Sequence, residues 1–165
     1  WVAWALDKFK NNGDYFDIFS ILRPTSPFRK SNTIRRAYKN FLQNDSIDSL
    51  RAIEKCKQHP GKMWVIKGKL IDPLLPYELD GTPWHSNQYD ALPEIYTQNA
   101  SLEIAWTKTV TVQNSISGKK ILPFLSDKLE GFDINEPEDL IIASKNIEMD
   151  SGILPKINIP AYKEK

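Results

Sequence analysis

The chain has 165 residues, 41% of them hydrophobic, with 22 basic and 21 acidic side chains for a net charge of +1. That length can build one globular domain with a true core, and so even a charge balance gives no basic footprint for nucleic acid. A single cysteine, Cys56, excludes an internal disulfide and a cysteine-rich metal site. The absence of a long apolar run or a leader-like pattern points to no membrane partner and to a reducing, cytoplasmic setting.

The first residues already read as the inside of a helix. Val2, Ala5, Leu6 and Phe9 recur at helical spacing, and no capping residue precedes them. The chain therefore reads as truncated at its amino end. Asn12-Gly13-Asp14 is a turn, and Tyr15 to Leu22 is an apolar run suited to a strand covered on both faces. After the loop Pro24–Lys30, Ser31 or Asn32 can cap a helix striped by Ile34, Ala37, Tyr38, Phe41 and Leu42, leaving Arg35, Arg36 and Lys39 to solvent. This helix, strand, loop, helix order belongs to an α/β protein with a parallel sheet.

Ile47 to Ile53 reads as the next strand, although Asp48 and Arg51 leave a helix open. Between Gln58 and Leu92, proline and glycine punctuate the chain and no helix is legible; Lys62 to Ile71 alternates like a hairpin strand, and Pro73 to Asn87 is a long irregular connection. Such a connection tends to serve function or an interface. Ile95–Gln98 and Ser101–Trp106 look like two short strands around Asn99-Ala100, and Ile121–Leu125 like another. Asn135, Pro137 and Glu138 then open a helix carried by Leu140, Ile141, Ala143, Ser144 and Ile147. Residues 150–165 read as an extended or disordered tail, leaving residues 1–149 as one domain.

The chemistry concentrates in a few places. Leu22-Arg23-Pro24-Thr25-Ser26-Pro27-Phe28-Arg29 follows a strand directly and makes a stiff polar lip at its carboxyl end, where open α/β sheets bind ligands. Arg23, Thr25, Ser26 and Arg29 bring guanidinium and hydroxyl donors, which suit a ligand with a carboxylate and many hydroxyls. Asp133 ends an extended segment just before a helix, so its carboxylate can face such a cleft; the alternative for Asp133 and Asn135 is simple helix capping. His59 and His85 are too few and too far apart for a metal site.

Three segments together resemble the acylneuraminate cytidylyltransferase family: the lip just described, Leu92-Pro93-Glu94-Ile95-Tyr96-Thr97-Gln98-Asn99-Ala100, and Gly131-Phe132-Asp133-Ile134-Asn135-Glu136-Pro137-Glu138-Asp139-Leu140. The resemblance implies a Rossmann-like nucleotidyltransferase fold, three-layered with a mixed, mostly parallel sheet. It implies transfer of CMP from CTP to a 2-keto sugar acid with release of pyrophosphate. It also implies Mg²⁺ held at Asp133 and Asn135, the second of which brings no charge. Arg23 and Asp133 would be catalytic, and Arg23, Thr25, Ser26, Arg29, Asn99 and Lys62 would bind substrate. Lys62 matches a basic residue that the family sends across a homodimer interface, which residues 56–106 would form. Two basic positions of sialic-acid-activating members are absent, and Glu103 stands in place of a tyrosine. The acid is therefore N-acetylneuraminate or a related nonulosonate such as legionaminate or pseudaminate. The family's basic, glycine-rich CTP loop has no counterpart in these residues, since Gly68-Lys69 and Gly118-Lys119-Lys120 lack its strand-loop-helix setting. Two other readings stay open: a non-catalytic relative that binds a sugar nucleotide or only dimerises, and a different sugar-nucleotide transferase.

Overall fold

The computed structural model describes residues 1–158, and two compact units emerge: residues 1–54 with residues 98 onward, and residues 55–97. The chain runs through α1 (Val2–Asn11), β1 (Ile18–Ile21), α2 (Ser31–Leu42), β2 (Ser49–Lys55), β3 (Trp64–Lys67), β4 (Leu70–Pro73), β5 (Glu78–Leu79), β6 (Thr82–Pro83), β7 (Tyr96–Trp106), α3 (Thr107–Thr111), β8 (Ile121–Leu125) and α4 (Pro137–Met149).

The first unit is organised by a four-stranded sheet in the order β1-β7-β2-β8. β1 and β7 pair antiparallel, with Ile18 opposite Trp106 and Ile21 opposite Glu103. β2 and β8 pair parallel, from Ser49 opposite Ile121 to Ile53 opposite Leu125. Backbone bonds Trp106 N to Asp48 O and Cys56 N to Ile95 O mark β7 and β2 as antiparallel too. Three strands thus run one way and β7 alone runs the other, a mixed α/β sheet.

Alternation along the strands sends Leu50 and Ala52 of β2 and Leu102 and Ile104 of β7 to one face. There they bury against Ala37 and Phe41 of α2 and Phe124 of β8. Full burial of each large side chain stabilises by about 1.5–3 kcal/mol. The α2 stripe read from sequence is half realised, since Tyr38 and Leu42 stay exposed. The helix begins after Lys30, whose backbone is extended and whose side chain makes no capping bond, so Ser31 and Asn32 are its first turn rather than its cap. Arg36 does not simply face solvent. It pairs with Glu130 at 2.9 Å and lies over the Phe124 ring.

A further expectation is corrected. β7 is a single 11-residue strand in which Asn99 and Ala100 continue the ladder instead of turning. α3, rich in β-branched residues, is helical because tertiary bonds catch its first turn: Thr107 N donates to Asp17 O and Thr109 Oγ1 to Asp48 O. Around residue 150 one 3-10 turn, Ser151–Ile153, forms, and Lys30 Nζ donates to Gly152 O at 2.8 Å; residues 159–165 of the expected tail lie outside the described residues.

The second unit is small and poor in apolar burial. β3 and β4 form the expected hairpin, and the irregular connection carries the two-residue pair β5–β6. Its centre is polar. His59 Nδ1 accepts from Gly61 N at 3.0 Å, and Nε2 lies 3.0 Å from Pro93 O, so the ring is held as the Nε2–H tautomer between Trp84 and Tyr89.

Candidate active site at the carboxyl edge of the sheet

With β7 reversed, the ends of β1, β2 and β8 and the beginning of β7 meet at one edge of the sheet. The segment Leu22–Arg29, Glu54, Asn99 and Ser126 all gather there. The segment after β8 folds back over this edge. Ser126 N donates to Ile53 O, and Ile134 N donates to Thr25 O at 2.9 Å. The second bond joins the lip after β1 to the segment carrying Asp133. Phe28 and Phe132 pack nearby with tilted rings, centroids 5.6 Å apart.

Each expected site residue has a definite place. Ser26 is buried, and its hydroxyl has no partner; one carboxylate oxygen of Asp133, Oδ1, is buried and equally unpartnered. The Thr25 and Arg23 side chains are exposed, and among the described residues nothing pairs with the Arg23 guanidinium. Arg29 serves the scaffold: Nη1 donates to Ser101 O and Nη2 to Arg23 O, and burial lowers its pKa. Asn99 is buried in a network, its amide nitrogen 3.0 Å from Ser126 Oγ and 3.5 Å from Glu54 Oε2, and its oxygen accepting from Ser101 Oγ at 2.7 Å. Lys62 belongs to the second unit, where its ammonium donates to the carbonyls of His85 and Asn87.

The helix start differs in detail from the sequence expectation. Glu136, not Asn135, is the N-cap of α4, and Asp139 completes the capping box in place of Glu138. Asn135 is exposed, and its backbone N–H donates to Asp139 Oδ2 at 3.0 Å. Capping therefore does not consume the Asp133 carboxylate.

Residues that sequence reasoning passed over hold the edge together. Gly131 is buried where a Cβ would lie 2.3 Å from Asn99 Nδ2 and 2.6 Å from Glu54 Oε2. Glu130 accepts from Thr33 Oγ1, Asp127 N and Arg36. Burial pushes its pKa up, but the bonds from Thr33, Asp127 and Arg36 outweigh that and hold it below the usual range. No local motif announces either residue, because the side chains they meet are 32 to 97 positions away.

Among the described residues no trio of His, Cys, Asp or Glu could hold a metal. Mg²⁺ asks for less, one or two carboxylates completed by phosphate oxygens and water, and a buried, unpartnered carboxylate oxygen at Asp133 fits that need.

The chain is an α/β protein, and unpartnered polar groups converge at the carboxyl edge of its sheet, the edge where open α/β sheets bind ligands. No family model matches the chain. It is 30% identical over 151 residues to a CMP-N,N'-diacetyllegionaminic acid synthase of Legionella pneumophila, across 90% of this chain and 62% of that protein. It is 26% identical over 148 residues to N-acylneuraminate cytidylyltransferases of Streptococcus agalactiae serotypes III and Ia, across 88% of this chain and 34% of theirs. These similarities, over about 90% of the chain, support the acylneuraminate cytidylyltransferase family, and the chain spans less than two thirds of the length of these relatives. All three are named as enzymes, which lends no support to a purely binding or dimerising role. No described helix is long and apolar enough to cross a membrane.

Proposed function

We propose that the protein transfers CMP from CTP to a 2-keto sugar acid of the nonulosonate class, on a Rossmann-like nucleotidyltransferase fold. The anomeric hydroxyl of the sugar acid attacks the α-phosphorus. The bond to the bridging oxygen breaks, pyrophosphate leaves, and the hydroxyl proton passes to water. A legionaminate is the favoured acceptor, since the relative with the larger share of its length matched is named for that sugar, and CTP as donor suits a cytoplasmic enzyme.

The observation that carries this reading is the bond from Ile134 N to Thr25 O. It joins two of the family-like segments, and both bring unpartnered groups, Ser26 Oγ and Asp133 Oδ1, to one edge. Asp133, with Asn135 beside it, would hold Mg²⁺, which supplies positive charge against the phosphates when bound. Arg23 would meet the ligand's carboxylate, Thr25 and Ser26 its hydroxyls. Arg29 and Asn99 keep that surface in shape. In the second unit Lys62 braces a loop, and the same unit exposes an apolar hairpin, Trp64, Val65, Ile66, Leu70 and Ile71. A patch of that kind seeks a partner, and a second copy of the chain is the proposed one. Sedimentation of the protein should report a dimer, and a monomer at all concentrations would refute it.

The direct test is CMP transfer from CTP to N,N'-diacetyllegionaminate and to N-acetylneuraminate. Product with either acid is expected, and none with both would end the proposal. Asp133→Ala should lower turnover by orders of magnitude; near-parental turnover would remove Asp133 from the metal site.

A further inference from the structure

A buried ion pair beside the site has no role in the account so far. Arg51 of β2 and Glu103 of β7 lie on adjacent strands, in contact, 8% and 6% exposed. Their neighbours Leu50, Ala52, Leu102 and Ile104 face α2, so alternation places the pair on the opposite face. Stability does not call for it. Two well-packed apolar side chains serve a core as well as a buried ion pair or better, because both charges must be stripped of water.

The register gives the pair a neighbour. Glu103 lies opposite Ile21, the last residue of β1, and Arg23 follows two positions later. Arg29 holds the Arg23 backbone carbonyl at 3.1 Å, which fixes where the side chain departs. The two guanidiniums feel each other: burial first, then the charge of Arg23, lowers the pKa of Arg51. A carboxylate facing the strand end two positions before an unpartnered guanidinium would ordinarily take it as partner. Glu103 is already taken by Arg51, and Arg51 repels Arg23 as well.

We infer that Arg51 is a positioning residue: by holding Glu103 it leaves the Arg23 guanidinium free for the carboxylate of the acidic ligand. The inference rests on the reading of the ligand as a sugar acid. It gives Glu103, which stands where the family has a tyrosine, a partner that neutralises it.

The test follows the side-chain N–H signal of Arg23 by NMR in the full protein, assigned by its loss in Arg23→Gln, during titration with sodium pyruvate, the simplest 2-keto acid. The parent and Arg51→Lys, which keeps a cation against Glu103, should show a saturable shift. Arg51→Gln should weaken pyruvate binding about tenfold or more, as Glu103 turns to Arg23. Arg51→Gln with Glu103→Gln, a neutral hydrogen-bonded couple, should restore binding to within about threefold of the parent. Parental binding by a folded Arg51→Gln overturns the inference, as does a double variant that stays weak or a parent in which Arg23 does not respond. If Arg51→Gln does not fold, the double variant decides: parental binding supports the inference and weak binding overturns it. CMP transfer is measured separately, so a protein that binds pyruvate at Arg23 but transfers no CMP loses the proposed function and keeps this assignment.

Discussion

The two units of the chain are held together by different physics. In the unit of β1, β2, β7 and β8, order comes from volume: Phe41, Leu50, Leu102 and Ile104 are wholly buried against one another. In the unit of residues 55–97, order comes from polar locks. The His59 ring ties Gly61 N to Pro93 O, Lys62 ties two carbonyls, and Asn87 donates to Thr82 O and Pro83 O. Its large apolar side chains, Ile66 and Leu70 among them, lie mostly outside. A volume-built region places a site rigidly. A lock-built region folds with little core and leaves its apolar side chains free to meet a partner.

The comparison is broken most severely at Phe41. Phe41→Ala should cost about 3–5 kcal/mol, read as a large fall in the urea midpoint of the sheet unit. A loss under about 1 kcal/mol would mean that the core repacks and is not volume-limited. His59→Ala is the counterpart. It strands Gly61 N–H and Pro93 O, worth about 1–3 kcal/mol for buried groups. Hydrogen exchange should quicken at Gly61 and its neighbours while amides of Leu102 and Ile104 keep their protection. Equal loss at Leu102 would show that the two units open together and that the contrast between them is only static.

How far the sequence could be read follows the same division. Short-range pattern was sufficient for α1, α2, the β3–β4 hairpin and β8, because periods of two and 3.6 are local properties; at β2 it left strand and helix open, and pairing with β7 and β8 decides. It also located the Leu22–Arg29 lip and Asp133, whose strand-loop-helix surroundings are local too. It failed where a distant partner decides. Asn99 looked like a turn residue and lies inside β7, its amide spent on Ser126, Glu54 and Ser101. Arg36 looked solvated and anchors Glu130. Nothing in the local pattern of Arg51 or Glu103 says that they meet, since only the strand order β7-β2 makes them neighbours.

The smallest expected effect tests whether polar locks also matter within the volume-built unit. Asp48, just before β2, accepts from Lys119 N at 2.8 Å, Lys120 N at 2.9 Å and Gln113 Nε2 at 2.8 Å. It thereby closes the 113–120 loop, where Gly118 has a φ of +67° and no room for a Cβ beside Asp48. The bond from Lys120 N, then those from Gln113 and Lys119 N, lower its pKa from 3.8 to about 2. A carboxylate depressed in the folded state stabilises above its unfolded pKa, and that stability is lost as pH falls through the folded value. The loss attributable to Asp48 should therefore fall between about pH 4 and pH 2. Asp48→Asn should flatten the stability profile in that window, while the acid sensitivity from Glu130, also depressed, remains. A profile identical to the parent's below about pH 4 would mean that the 113–120 loop is held by packing and not by the Asp48 carboxylate.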